Sequence, residues 1–204
     1  MDRLLVATNN PGKLREYKDL LEGLPRTVEI TFPAQEGINL EVEEVGETFA
    51  ENARIKAMAY AQASGLLTLA DDSGLEVDAL DGAPGVRSAR YAGPGASDAD
   101  RYRKLLAELA GIPTGKRSAR FRCVVALALP EGTVHTAEGT CEGKIGFAAR
   151  GEHGFGYDPV FIVDGYGGKT LAELEPEVKN RISHRARALE AGLPTLRRLL
   201  ALEP

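Results

Sequence analysis

Long hydrophobic runs are missing from this chain of 204 residues. Its first apolar run, Leu4-Leu5-Val6-Ala7, is too short to cross a membrane or to form the core of a secretion signal. The run indicates a first β-strand instead. We therefore expect a cytoplasmic protein that does not bind a membrane.

Cysteine is also scarce, and the spacing of Cys123 and Cys141 matches no CxxC metal motif. We expect two reduced thiols that are partly buried, since disulfides are rare in the cytosol. The sequence has no histidine and cysteine cluster of the kind that binds zinc, so any metal site is expected to hold a hard cation through oxygen ligands.

Positive charge is not in excess, because 25 Lys and Arg stand against 30 Asp and Glu and give a net charge of −5. General DNA-binding and RNA-binding proteins usually carry a basic surplus. The balance therefore argues against a nucleic-acid partner. It leaves room for a small polyanionic substrate that is held by a local group of cations.

What the chain does contain is an alternation of apolar strands and amphipathic helices, which predicts an α/β fold. A turn at Pro130-Glu131-Gly132 between two strand-like runs predicts a hairpin, so the sheet should be mixed. The predicted strands are 3–8, 28–31, 66–70, 119–129, 133–142 and 160–163. The predicted helices run from Lys13 to about Gly23, from Thr48 to near Gly65, from Ser97 to about Leu109, and from Ser183 onward with a kink or restart near Gly192 caused by Pro194.

Two adjacent carboxylates, in Asp71-Asp72-Ser73-Gly74, follow the apolar run 66–70. At the end of a buried strand they would repel each other unless a cation or strong donors compensate. Ligands of open α/β sheets bind at such strand ends. The four residues are also turn formers, so a solvated turn is an equally good interpretation of them alone.

A second candidate is the first strand-to-helix loop, Thr8-Asn9-Asn10-Pro11-Gly12-Lys13. Amide groups at a helix N-terminus attract anions, and Lys13 is unfavourable there unless an anion is present. The loop therefore indicates phosphate binding, although it does not match the GxxxxGK[ST] pattern. A plain turn with a solvated lysine is the alternative.

Acidic residues are concentrated before the second helix, at Glu41, Glu43 and Glu44. One of these glutamates could join Asp71 or Asp72 in holding Mg²⁺, which binds one or two carboxylates together with phosphates and water. A solvated acidic loop is the alternative interpretation.

Two later segments could contact a flat ligand. In 154–159 the glycines surround Phe155 and Tyr157, which could stack on a base, or else pack into the core. The segment 179–185 places Lys179, Arg181, His184 and Arg185 at the start of the last helix, where a ligand rich in acceptors or plain solvation would explain them.

Taken together, these segments match a known family. In order and at plausible spacing, the chain resembles the inosine/xanthosine triphosphate pyrophosphatases, also called dITP/XTP pyrophosphatases, over nearly its whole length. The matching residues are Thr8, Asn10 and Lys13; Glu43, Glu44, Gly46, Thr48, Phe49, Glu51, Asn52 and Ala53; 70–75; 82–91; 155–159; and Ser183, His184 and Arg185.

The resemblance implies a single domain, 1–204, with a long central mixed β-sheet flanked by helices, two lobes and a central cleft. It implies a homodimer and Mg²⁺-dependent hydrolysis of ITP, dITP and XTP to the monophosphate and pyrophosphate.

The resemblance also implies site residues. Asp72 would accept the proton. On physical grounds, Asp71 beside it would be a second metal ligand or would tune Asp72, and Lys13 and Mg²⁺ would stabilise the charge that builds on the leaving pyrophosphate. Glu44, or Glu43 in its place, would help Asp72 hold the metal. The implied substrate contacts are Thr8, Asn9, Asn10, Pro11, Gly12, Lys13 and Ser73 for the phosphates, and Phe155, Gly156, Tyr157, Asp158, Lys179, His184 and Arg185 for the base.

Two rival functions share the same scaffold. One is a pyrophosphatase for modified pyrimidine nucleotides. The basic segment 179–185 favours a purine substrate instead. The other is a nucleotide-binding regulator without catalysis. Massed carboxylates beside phosphates argue against the regulator, because binding alone does not require them.

Overall fold

The computed structural model describes residues 2–201 and contains a six-stranded sheet flanked by helices. The strands are β1 (Asp2–Val6), β2 (Val28–Thr31), β3 (Leu67–Val77), β4 (Ser118–Ala128), β5 (Val134–Ile145) and β6 (Phe161–Val163). The helices are α1 (Pro11–Leu20), α2 (Phe49–Ser64), α3 (Asp98–Glu108), α4 (Pro176–Ile182) and α5 (His184–Leu199). Short 3₁₀ turns lie at Asp78–Leu80, Gly85–Arg90, Thr114–Lys116, Asp158–Val160 and Leu171–Glu173.

The sheet has the strand order β2-β1-β3-β4-β5-β6. Strand β1 runs parallel to both β2 and β3, whereas β5 and β6 are antiparallel. The prediction of a mixed sheet flanked by helices is therefore confirmed.

Contacts divide the chain into two compact units. The first unit comprises the described residues up to Asp72, residues 123–139, and the described residues from Arg185 onward; the second comprises 73–122 and 140–184. Strands β3, β4 and β5 contribute residues to both units. The assignment of the whole of 1–204 to one domain of two lobes stays a prediction.

Each unit has its own apolar core. In the first unit, α1 and α5 bury leucines and a tyrosine together with residues of β1 and β3. In the second, α3 and the 157–174 region pack with residues of β3, β4 and β5. Within residues 2–201 no helix is both long and apolar enough to span a membrane. Cys123 and Cys141 are free thiols, and both are almost completely buried rather than partly buried as expected.

Helix α2 follows directly from its local sequence. The Thr48 hydroxyl accepts the Glu51 amide, and the Glu51 carboxylate accepts the Thr48 amide, so the predicted capping box is present. The helix ends at Gly65, whose φ of 68° is a left-handed conformation that glycine adopts without a side-chain clash. These caps set the start and the end of the helix that carries two residues of the site.

The end of the third strand was predicted wrongly. Strand β3 does not stop at residue 70 but continues to Val77, so Asp71-Asp72-Ser73-Gly74 lies inside a strand rather than in a turn after it. The turn preference of these residues is overridden because tertiary contacts compensate the two buried carboxylates.

The C-terminal region also differs from the prediction. Ser183 ends the short helix α4, and α5 begins at His184, so Lys179 and His184 lie on separate helices. Helix α5 does not restart at Pro194. Pro194 lies on the exposed side, where water can bond the carbonyl it leaves unpaired, while Leu189 and Leu196 are buried on either side of it.

Candidate active site

Asp71 is a buried carboxylate that is held by cations. Its Oδ2 atom accepts Lys13 Nζ at 2.9 Å and both Nε and Nη2 of Arg185 at 3.3 Å. Burial raises the pKa of Asp71, but Lys13, Arg185 and Lys56 outweigh it and hold that pKa well below the ordinary range. Asp71 is therefore ionised at neutral pH and suits ion pairing rather than proton transfer.

Asp72 lies in a different environment, because successive side chains of a strand point to opposite faces. Its Oδ2 atom accepts Asn52 Nδ2 at 3.1 Å. Burial and the nearby Glu44 carboxylate raise the pKa of Asp72 to about 6, against the lowering effect of Lys13 and Lys56. A carboxylate whose pKa lies close to neutral can accept a proton from water efficiently. The two aspartates thus differ in chemistry although they are adjacent in sequence.

Helix α2 brings two polar residues to this group. Asn52 and Lys56 are four residues apart, so they share one face of the helix. Lys56 forms an ion pair with Glu44 and donates from Nζ to the backbone oxygen of Asp71 at 3.1 Å. Lys56 was not among the predicted site residues. The sequence signal that could have indicated Lys56 is its i, i+4 spacing from Asn52 in an otherwise alanine-rich helix.

Asn10 forms the main hydrogen bonds of the first strand-to-helix loop, residues 8–13. Its side-chain oxygen caps α1 by accepting the backbone amides of Gly12 at 2.8 Å and Lys13 at 3.2 Å. The backbone amide of Asn10 donates to Thr8 Oγ1. Asn9 Nδ2 donates to Tyr60 of α2. Two amides at the helix N-terminus are thus occupied by the cap, so the Lys13 ammonium is the main cationic group that this loop offers to an anion.

Glu44 and Asp72 fit a hard cation. Within residues 2–201 no group of three or more histidine, cysteine, aspartate or glutamate side chains could hold a metal ion. Mg²⁺ usually takes one or two carboxylates and completes its shell with phosphates and water. The mutual repulsion of Glu44 and Asp72, which contributes to the raised pKa of Asp72, is what a bound cation would relieve. Glu43 is exposed on the same loop.

A separate polar group lies in the second unit. The Asp158 carboxylate accepts Lys179 Nζ at 2.5 Å and the Phe155 amide at 2.9 Å. The Lys179 ammonium lies 5.0 Å from the centre of the Phe155 ring. A side chain at Gly154 would place a Cβ atom 2.1 Å from an Asp158 oxygen, so this position requires glycine. The loop is therefore closed around a buried ion pair.

The aromatic side chains that were predicted to contact a base differ in how exposed their rings are. Tyr157 is buried and donates its hydroxyl to the Ser88 carbonyl at 2.9 Å, whereas Phe155 is half-buried. His184 is buried and stacks on Phe121 with ring centres 4.7 Å apart. Of the predicted stacking residues, Phe155 has the more accessible ring.

Three more of the predicted site residues differ in how far they are buried. Ser73 is half-buried in β3. Pro11 starts α1 and is exposed. Arg185 lies in the first unit, fully buried, where it contacts Asp71 and Glu16. The phosphate and base contacts assigned to these residues stay predictions.

Comparisons with known proteins point to one family. A model of the Ham1 family matches residues 4–194. A dITP/XTP pyrophosphatase of Desulforamulus reducens is 52% identical over 97% of this chain and 96% of its own length. One of Bacillus subtilis is 50% identical over 93% of this chain and 94% of its own. The solved structure of a HAM1 protein from Coxiella burnetii superposes with a TM-score of 0.85 at 42% identity and covers all of both chains. These matches agree with the resemblance found in the motifs.

Proposed function

The chain belongs to the Ham1 family, and we propose that it hydrolyses dITP, ITP and XTP to the nucleoside monophosphate and pyrophosphate. The observation that carries this proposal is the divergence of Asp71 and Asp72. One carboxylate is compensated by cations, and the pKa of the other is raised to about 6 in the metal-free protein by burial and by a second carboxylate. The names of relatives that are about 50% identical support the same activity.

The chemistry divides among the residues of the first unit. Asp72 orients a water molecule and accepts its proton as the water oxygen attacks phosphorus and the bond to the leaving pyrophosphate breaks. Lys13, held by Asp71, neutralises charge that builds on that leaving group. Lys56 keeps Glu44 beside Asp72.

Magnesium is the cofactor we propose, with Asp72 and Glu44 as its protein ligands. When bound, it would neutralise phosphate charge and supply the electrostatic stabilisation typical of phosphoryl transfer. Glu43 is exposed and is the weaker candidate of the two glutamates. Glu44→Gln should raise the Mg²⁺ concentration needed for half-maximal activity about tenfold or more, whereas Glu43→Gln serves as the matched control and should not. The reverse result would move the metal site to Glu43.

Base recognition is proposed for the second unit. Hypoxanthine and xanthine carry an acceptor oxygen at C6, where adenine carries an amino donor. The Lys179 ammonium has three donor positions, and its contact with Asp158 orients it. Phe155 offers a ring for stacking. A donor aimed at C6 would favour the deaminated bases and oppose adenine.

A substrate panel tests the proposal. Release of pyrophosphate from dITP, ITP and XTP should exceed release from ATP, GTP and UTP by about a hundredfold in kcat/KM. Higher activity on UTP or on a methylated pyrimidine nucleotide would contradict the purine assignment. Release of orthophosphate instead of pyrophosphate would contradict the reaction class. The homodimer implied by the resemblance also stays a prediction, and sedimentation equilibrium measures it directly.

A further inference from the structure

Glu16 on α1 is a buried acidic residue that the reaction described above does not use. It is 8% exposed, and its carboxylate accepts Nη1 of Arg185, which is 1% exposed. The other two nitrogens of the Arg185 fork, Nε and Nη2, face Asp71 Oδ2. Glu16, Arg185, Asp71 and Lys13 thus form a chain of alternating charge within the first unit.

The distances along this chain are unequal. Lys13 Nζ lies 2.9 Å from Asp71 Oδ2, whereas the two nitrogens of Arg185 lie 3.3 Å from the same atom. Arg185 divides its donors between two carboxylates, because Glu16 takes Nη1. The nearest cation to Asp71 Oδ2 is therefore the lysine and not the arginine.

That arrangement matters for Lys13 because a lysine side chain has many rotamers and loses conformational entropy when it is fixed. The contact with Asp71 fixes the ammonium before a phosphate arrives, and fixing a binding group in advance improves affinity. Without the charge of Glu16, Arg185 would move onto Asp71 and compete with Lys13 for Oδ2.

We propose that Glu16 is a positioning residue for triphosphate binding: by holding Arg185, it leaves Asp71 to fix Lys13. The inference rests on the proposed function, in which Lys13 contacts the phosphates. Glu16 itself contacts no substrate in this scheme, so its effect should be transmitted entirely through Lys13.

The first experiment measures inorganic tripolyphosphate as a competitive inhibitor of the full-length enzyme at fixed Mg²⁺ concentration. Glu16→Gln should raise its inhibition constant about five- to twentyfold, and the KM for ITP should rise in parallel while kcat stays within about threefold. Glu29→Gln is the matched control, because Glu29 pairs with Arg3 at an exposed site of the same unit and should change neither constant. A lower melting temperature with unchanged KM and inhibition constant would overturn the inference, since that is the behaviour of a purely structural residue.

A double-mutant cycle then tests the route through Lys13. In a Lys13→Ala background, Glu16→Gln should change the tripolyphosphate inhibition constant by less than about twofold, because coupled residues are not additive. An undiminished effect in that background would overturn the inference.

The same cycle separates this inference from the proposed function. If Lys13→Ala alone leaves tripolyphosphate inhibition unchanged, the phosphate role of Lys13 fails, and the inference fails with it. If Lys13→Ala weakens inhibition but Glu16→Gln does not, only the positioning role fails.

A second variant covers the case in which Glu16→Gln does not fold. Glu16→Asp keeps the charge but shortens the side chain by one methylene, which should lengthen its contact with Arg185 Nη1 and let the guanidinium shift toward Asp71. We expect the tripolyphosphate inhibition constant to rise at least about twofold and this rise to vanish in the Lys13→Ala background. A constant equal to wild type would overturn the inference.

Discussion

The two units bury charge in different ways. In the second unit, Asp158 and Lys179 form a buried pair at 2.5 Å that closes the loop around Phe155. In the first, Asp71 is shared between Lys13 and Arg185, and Asp72 next to it has a raised pKa. A buried ion pair of this kind holds the shape of a loop, whereas a network that includes one carboxylate with a raised pKa offers a group that can accept a proton or bind an added cation.

The largest expected effect comes from removing Asp72, the proposed proton acceptor of the first unit. Asp72→Asn keeps an oxygen for the Asn52 contact but cannot accept the proton, so kcat for ITP should fall about a thousandfold while ITP binding stays measurable. Single-turnover kinetics and equilibrium binding measure the two quantities separately. Asp19→Asn, at an exposed position on α1, is the control. A fall in kcat of less than tenfold would remove the proton-acceptor role.

The second prediction removes the buried ion pair of the second unit. Lys179→Met leaves the Asp158 carboxylate buried without its ammonium partner, so the free energy of unfolding should fall by about 3 kcal/mol. Urea unfolding measures the change. Lys169→Met, an exposed lysine of the same unit, should change stability by less than about 0.5 kcal/mol. Equal effects of the two variants would mean that the buried pair does not stabilise the loop.

The third prediction concerns the cation on the shared carboxylate. Lys13→Ala should weaken ITP binding about ten- to a hundredfold, because a charge-assisted contact to phosphate is lost. Calorimetric titration with ITP measures this, and inosine, which has no phosphate, should bind the variant and the wild type equally. Lys18→Ala on the same helix is the control. An ITP affinity equal to wild type would contradict the phosphate role of Lys13.

The smallest expected effect is on the pH dependence of stability in the first unit. Because burial raises the pKa of Asp72 to about 6 in the folded protein, its protonated form stabilises the fold at acidic pH. That contribution is complete below the unfolded pKa of about 4 and is lost as the pH rises through 6. At pH 7.5 without metal, Asp72→Asn should therefore be about 2 kcal/mol more stable than wild type.

The stability gain of Asp72→Asn should shrink toward zero near pH 4, where the wild-type carboxyl is also neutral. Chemical denaturation in the presence of a chelator, repeated across this pH range, gives the curve. A variant that is less stable than wild type at pH 7.5 would show that the ionised Asp72 carries no burial cost.

Local patterns predicted much of the fold. The capping box at Thr48 and Glu51, the glycine that ends α2, and the bounds of β2 were all predicted from residues within a few positions of each other. The strand through Asp71 and the uninterrupted α5 were not, since both depend on contacts from distant segments. Propensity is a weak guide wherever tertiary contacts compensate for it.

The candidate site shows the same division. Motif order indicated Lys13, Asp71 and Asp72, and the structure brings Lys13 and Asp71 into contact. Lys56 and Glu16 were missed, because a single lysine or glutamate in a helix usually faces solvent. The contacts of Lys56 with Glu44 and of Glu16 with Arg185 distinguish them from surface charges.

Local patterns along the chain were enough to assign the family, the α/β class and the two adjacent carboxylates, because motifs, helix caps and hydrophobic periodicity are local properties. Tertiary structure decided what each carboxylate can do. Asp71 is ionised because Lys13 and Arg185, which are 58 and 114 residues away along the chain, meet at its side chain. Asp72 keeps a pKa near neutral because it is buried beside Glu44. Charge state depends on what surrounds a group in space, and neighbours in sequence do not specify it.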